Sequence, residues 1–126
     1  MESYALHSHP IRWFDPADSF AAPHILLAGD AAGVDPSYGE GISFALGYGE
    51  LAAHELKAAF THSNFSFTGY KERILKSRMG VVLKRRRHLA GILYGIRNIN
   101  VQRLIWWRLN FLLRWYVENF LIDWAK

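Results

Sequence analysis

One stretch, residues 25–53 (ILLAGDAAGVDPSYGEGISFALGYGELAA), constrains the fold of this chain more than any other. Just before and into it runs an apolar segment, His24-Ile25-Leu26-Leu27-Ala28, closed by Gly29-Asp30. The run is too short for a helix and is bounded by turn residues, which predicts a buried strand. Residues 30–41 are rich in Gly, Asp and Pro and predict an irregular loop. From about residue 40 to 60, Ile42, Leu46, Leu51 and Leu56 recur at helical spacings among many alanines, which predicts a helix. Gly47 and Gly49 each cost such a helix about 1 kcal/mol relative to Ala. That cost predicts close packing of the helix against a neighbour. The unit is therefore a strand, a glycine-rich turn and a helix.

The residue types of this unit describe a ligand site. The strand delivers Asp30 to its end, and Ala31 and Ala32 let another group approach the backbone. Gly33, Gly39 and Gly41 permit backbone conformations that other residues resist. The helix starts near Gly41-Ile42-Ser43, where N–H groups lack intrahelical partners and the helix dipole is positive. An anionic or electron-rich group suits that end. Asp30 repels phosphate and is better suited to accepting hydrogen bonds from the hydroxyls of a sugar or polyol. A flavin nucleotide offers both a polyol and an electron-rich carbonyl. The blander alternative is that Asp30 simply caps a turn after the strand.

The fuller run GDAAG–DP–GEGI resembles the second FAD fingerprint of the glutathione-reductase-like flavoproteins, in the geranylgeranyl-reductase and aromatic-hydroxylase superfamily. With Asp35-Pro36 and Gly39-Glu40-Gly41-Ile42, it looks most like the geranylgeranyl-reductase branch. The resemblance covers about 30 of the 126 residues. It implies that Asp30 binds the ribityl hydroxyls of FAD, with Gly29 and Ala31 keeping the backbone close. It implies that Pro36 lies beside the flavin ring. It also implies that the turn Gly39 to Gly41 brings the N–H groups of Ile42 and Ser43 to the pyrimidine carbonyl. A positive helix end there would stabilise charge that develops on the reduced flavin. NAD(P)H is the implied reductant and an isoprenoid or other small apolar molecule the implied substrate; aromatic hydroxylation is the second outcome the shared motif allows. The Gly-x-Gly-x-x-Gly turn with which these enzymes hold the ADP pyrophosphate is missing from this sequence. The expectation is a fragment, a truncated product or one piece of a split protein, inactive alone and weak in binding free FAD. No acid–base residue is assigned.

The expected fold class is α/β or α+β. Residues 1–60 would be the C-terminal part of an FAD-binding domain, a partial sheet followed by the flavin-contacting helix. Residues 61–126 would be a basic, aromatic-rich helical region. A strand is expected within residues 4–13, ending near Pro10. Long helices are expected over about 68–96 and 100–123, with the break at Asn98 and Asn100. The absence of cysteine excludes disulfides and thiolate metal sites. Residues 1–20 carry no basic-then-apolar leader, so no signal peptide is expected and the chain reads as cytoplasmic.

Charge is unevenly distributed. Residues 1–70 hold eight acidic and two basic side chains, whereas residues 71–97 hold one acidic and nine basic. Lys84, Arg85, Arg86 and Arg87 form the sharpest cluster, read first as a solvated helix face and second as a contact for anionic lipid headgroups. Nucleic acid is not expected as a partner, because the front half is acidic and no nucleic-acid fold signature is visible. Trp106, Trp107, Phe111, Trp115 and Phe120 read most simply as a helix-packing core, which in a truncated chain would be exposed and sticky. Together the basic and aromatic helices give the alternative to a flavoprotein: a non-enzymatic membrane-surface or interaction module. His7 and His9 share a strand face but lack a third ligand, so no metal site is expected. Tyr38, inside the loop, and Arg12 are further candidates for contact with a cofactor or substrate.

Overall fold

The computed structural model describes residues 11–120, which form a mostly helical α+β arrangement. Most of the strand expected within residues 4–13, with His7 and His9, lies outside them. At the edge of that segment Trp13 forms an isolated parallel bridge to Val34. The Phe14 amide donates to Val34 O at 3.0 Å, and the Val34 amide to Arg12 O at 2.9 Å.

Two short strands follow, β1 (Ala21–Ala22) and β2 (Ile25–Leu26), paired antiparallel with Ala21 opposite Leu26. The expected buried strand is thus a two-residue strand, and Ile25 is 56% exposed. Among the described residues only β1 pairs with it, and a strand is buried only where a second layer covers its face. The chain then makes a single 3₁₀ turn, Gly29–Ala31.

Helix α1 (Ile42–His62) begins and ends within two residues of expectation. Its apolar face does not match. Ile42 and Leu46 are exposed, while Phe44 and Tyr48, one helical turn apart, are fully buried. Phe44 and Tyr48 are the larger side chains, and turning them inward removes more apolar surface from water, at about 25 cal/mol per Å². A Cβ at Gly49 would meet open space, so close packing does not account for that glycine. Ser63 in the left-handed conformation (φ 50°) ends the helix, its amide bonding Ala59 O.

The expected helix over 68–96 is two helices, α2 (Tyr70–Lys76) and α3 (Arg78–Gly95). Ser77 breaks them with extended backbone (φ −63°, ψ 156°) and caps α3 by accepting from the Gly80 amide at 3.0 Å. The corner is so tight that a Cβ on Gly80 would lie 1.9 Å from Ile74 O. The core lies where α1, α2 and the start of α3 meet the 14–20 loop. Phe14, Phe20, Phe44, Tyr48, Tyr70, Ile74 and Leu83 are fully buried in it.

Asn98 marks the next break, as expected, its side chain accepting from the Asn100 amide. The helix beyond it is interrupted: α4 (Ile99–Arg103), a π-helical turn (Leu104–Arg108) and α5 (Asn110–Phe120). In the π turn the Leu109 amide reaches back five residues to Leu104 O. The aromatic stripe does not form a packed core. Trp107 is 84% and Phe111 74% exposed, and Trp106 and Trp115 are more than half exposed, although Trp106 also borders a cavity opposite α3. No helix among the described residues is long and apolar enough to cross a membrane.

Candidate functional site

Asp30 sits in the 3₁₀ turn directly beneath the start of α1. Its carboxylate lies against the N-cap residue of that helix: a Cβ on Gly41 would be 2.8 Å from Asp30 Oδ1. Glycine at this position is therefore what lets the carboxylate reach the helix end. No side chain caps α1, and a helix start of this kind suits an external acceptor near Ile42 and Ser43. Around this junction is an open cleft of about 730 Å³. Val34, Ala45, Ile11 and Ile42 give it apolar walls, and Asp30, Glu40 and Ser43 supply polar groups. Ser43 Oγ donates to a Glu40 carboxylate oxygen. The cleft thus presents acceptors beside helix N–H donors on an apolar floor.

Five of the eight expected site residues line this cleft: Asp30, Gly39, Gly41, Ile42 and Ser43. Gly29 (φ +58°) and Gly39 (φ +67°) both use left-handed backbone. Gly29 packs on Ala45, and Ala31 gives its carbonyl to Arg12 Nη1 at 3.2 Å; neither lines the cleft. Pro36 is buried and is not among the cleft residues, so the structure does not bring it together with Asp30. Arg12 pairs with Asp18 at 3.0 Å.

The loop between Asp30 and α1 is held from behind by a contact that sequence reasoning missed. Asp35 and Arg86 form a buried ion pair at 2.8 Å. Asp35 also accepts from the amides of Ser37 (2.9 Å) and Tyr38 (3.2 Å), and its own carbonyl accepts from the Gly39 amide. Ser37 Oγ in turn donates to Arg86 O at 3.1 Å. The Arg86 guanidinium lies 5.4 Å from the ring centre of Tyr38 and 5.2 Å from that of Phe44. One arginine on α3 therefore fixes the charged, polar and aromatic members of the loop together.

This corrects the reading of residues 84–87 as a solvated face. Lys84 and Arg85 are exposed, but Arg86 is buried and Arg87 pairs with Asp15. The Ala17 amide, and with it the Arg87 guanidinium, holds the Asp15 carboxyl below the usual carboxylate range. The signal for Arg86 was present in the sequence. Met79, Val82, Leu83, Arg86 and Ala90 fall on one face of a helix, and all five are buried.

Comparison of the chain with family models, with curated proteins and with solved structures returned no match.

Proposed function

We propose that this chain forms the flavin-facing part of the FAD site of an oxidoreductase. One observation carries the reading: the Asp30 carboxylate and the N-terminus of α1 meet in one cleft, with only Gly41 allowing the approach. The donor set suits the ligand. A carboxylate accepts from the hydroxyls of a ribityl chain, and helix N–H groups donate to a ring carbonyl. The apolar residues Val34, Ala45 and Ile42 suit a flat ring system. A flavin held there would supply hydride and electron transfer. The chain's own contribution is to orient it, and to set a positive helix end where negative charge grows on reduction. The reading extends to a geranylgeranyl-reductase-like enzyme using NAD(P)H and an apolar substrate, on the strength of the GDAAG–DP–GEGI run.

Riboflavin titration tests this directly, because riboflavin carries the ring and the ribityl chain alone. The chain should quench riboflavin fluorescence saturably, and Asp30→Ala should weaken binding at least about tenfold, the loss of one charge-assisted hydrogen bond. Equal affinity in the two proteins would remove the assignment.

A second reading is favoured by the exposed aromatics Trp107 and Phe111 together with exposed Arg103 and Arg108: peripheral contact of the C-terminal arm with anionic bilayers. It predicts salt-sensitive co-sedimentation with anionic vesicles. Sedimentation that is indifferent to Trp107→Ala and Phe111→Ala would rule it out.

A further inference from the structure

We infer that the chain binds an uncharged apolar small molecule in a second cavity, where Ser37 and Tyr38 of the loop meet the end of α3 and the arm beyond it. The cavity is about 340 Å³. It is partly open to solvent, with Tyr38, Tyr94 and Trp106 exposed at its rim. A cavity of about 150 Å³ with apolar walls takes benzene, so this one has room for roughly two to three linked rings or an equivalent hydrocarbon.

The lining decides the chemical class. No charged side chain is among the described residues that form it; Leu89, Ala90 and Leu93 of α3 face Ile105, Trp106 and Leu113 of the arm. Two polar side chains at its edge are already engaged with the protein. Ser37 Oγ donates to Arg86 O, and Gln102 Nε2 donates to Ile96 O at 2.7 Å. A charged ligand would lose hydration here and meet no opposite charge among the described lining residues. Two of the aromatic walls also touch the rest of the protein. Tyr38 lies against the Arg86 guanidinium, and Tyr94 packs on Trp13 with ring centres 6.2 Å apart.

This inference does not rest on the flavin reading. The two sites nevertheless share a wall, since Ser37 and Tyr38 line this cavity and Gly39 and Glu40 line the cleft beside Asp30. If both are occupied, the apolar molecule lies on the opposite side of one loop from the flavin.

The probe is N-phenyl-1-naphthylamine, an uncharged three-ring molecule that fluoresces in apolar surroundings, added to the 126-residue chain. Fluorescence should rise saturably. Ala90→Phe, which fills the cavity from a buried position, should weaken binding at least about tenfold. Leu93→Gln makes the wall polar at a half-buried site that tolerates it, and should weaken binding several-fold, so it decides the matter if Ala90→Phe does not fold by circular dichroism. The sulfonated analogue 1-anilinonaphthalene-8-sulfonate should bind at least about tenfold more weakly. The inference is overturned by the absence of saturable binding, or by binding that survives the wall changes in folded protein. Binding lost only in Trp107→Ala would place the probe on the exposed arm and overturn it too, and equal binding of the sulfonate would overturn the uncharged class.

Discussion

Asp35 and Arg86 stand fifty-one residues apart in sequence and meet in a buried ion pair that joins the glycine-rich loop to α3. Removing either partner breaks a buried pair, at about 3–5 kcal/mol, although Glu40 also stands 4.0 Å from Arg86. Arg86→Ala and Asp35→Ala should each lower the urea-unfolding free energy by about that amount. The double change Asp35→Leu with Arg86→Met should recover a large part of the loss, because no buried charge is left. Single losses below about 1 kcal/mol would show that the pair does not hold the loop.

Gly41 separates stability from binding. An Ala Cβ there meets the Asp30 carboxylate, the movable end of a flexible side chain, and no backbone. Gly41→Ala should therefore leave stability within about 1 kcal/mol of the parent, a small value for a single substitution. The displaced carboxylate should cost riboflavin binding about as much as Asp30→Ala does. Unchanged riboflavin affinity would mean that the contact between Asp30 and the helix end plays no part in holding the flavin.

Two other glycines should respond in opposite directions. Gly80→Ala drives a Cβ into Ile74 O, a backbone atom that cannot turn aside, and should destabilise by about 1–3 kcal/mol or more. Gly49 has open space around it inside α1, so Gly49→Ala should stabilise by up to about 1 kcal/mol. Thermal melts of the two variants should bracket the parent.

Tyr70 makes stability fall at high pH. Its hydroxyl donates to Leu27 O at 3.0 Å, and burial, with the nearby Glu55 charge, pushes its phenol from 10.0 up to about 12. The folded state holds this proton more tightly than the unfolded chain does. The stability it contributes is therefore full below pH 10.0 and lost as pH rises towards about 12. Burial pushes Tyr48 upward as well, and its hydroxyl donates to Gly33 O. Tyr70→Phe should lower stability at neutral pH by about 1 kcal/mol, one hydrogen bond. It should also flatten the decline measured by urea unfolding between pH 10.0 and about 12. A decline as steep as the parent's would assign the alkaline loss to other groups.

The sequence was most legible where a pattern and a stop signal agreed. Helix α1 could be bounded because the apolar repeat began after Gly41 and ran out near Phe60. The break at Asn98 was legible because asparagine there caps a helix with its own side chain. Ser77 was not legible, since serine also occurs inside helices and nothing in the local composition reveals a corner that only Gly80 permits. The face of α1 was misread because alanine-rich helices offer several apolar stripes, and tertiary contacts to Phe14 and Tyr70 select among them. At the site, Asp30 and the Gly39 to Ser43 turn were legible because their residue types are narrow in use. Arg86 was not, because four adjacent cations look alike in sequence. Only the helical phase, not the charge run, distinguishes the one that turns inward.

The π-helical turn at Leu104–Arg108 has a consequence for how the arm tolerates change in length. An α-helix advances about 100° per residue, so one residue accommodated in a wide turn re-indexes every position beyond it. Ile105 and Trp106 within the turn and Leu113 beyond it line the same cavity. A single-codon deletion at the turn would shorten the arm by only about 1.5 Å. It would also rotate the whole of α5 by more than a quarter turn, carrying Leu113 away and bringing a different side chain to the cavity. The chain's vulnerability along this stretch therefore lies in its reading phase around the helix axis, and substitutions that keep the count should be borne far more easily than any that alter it.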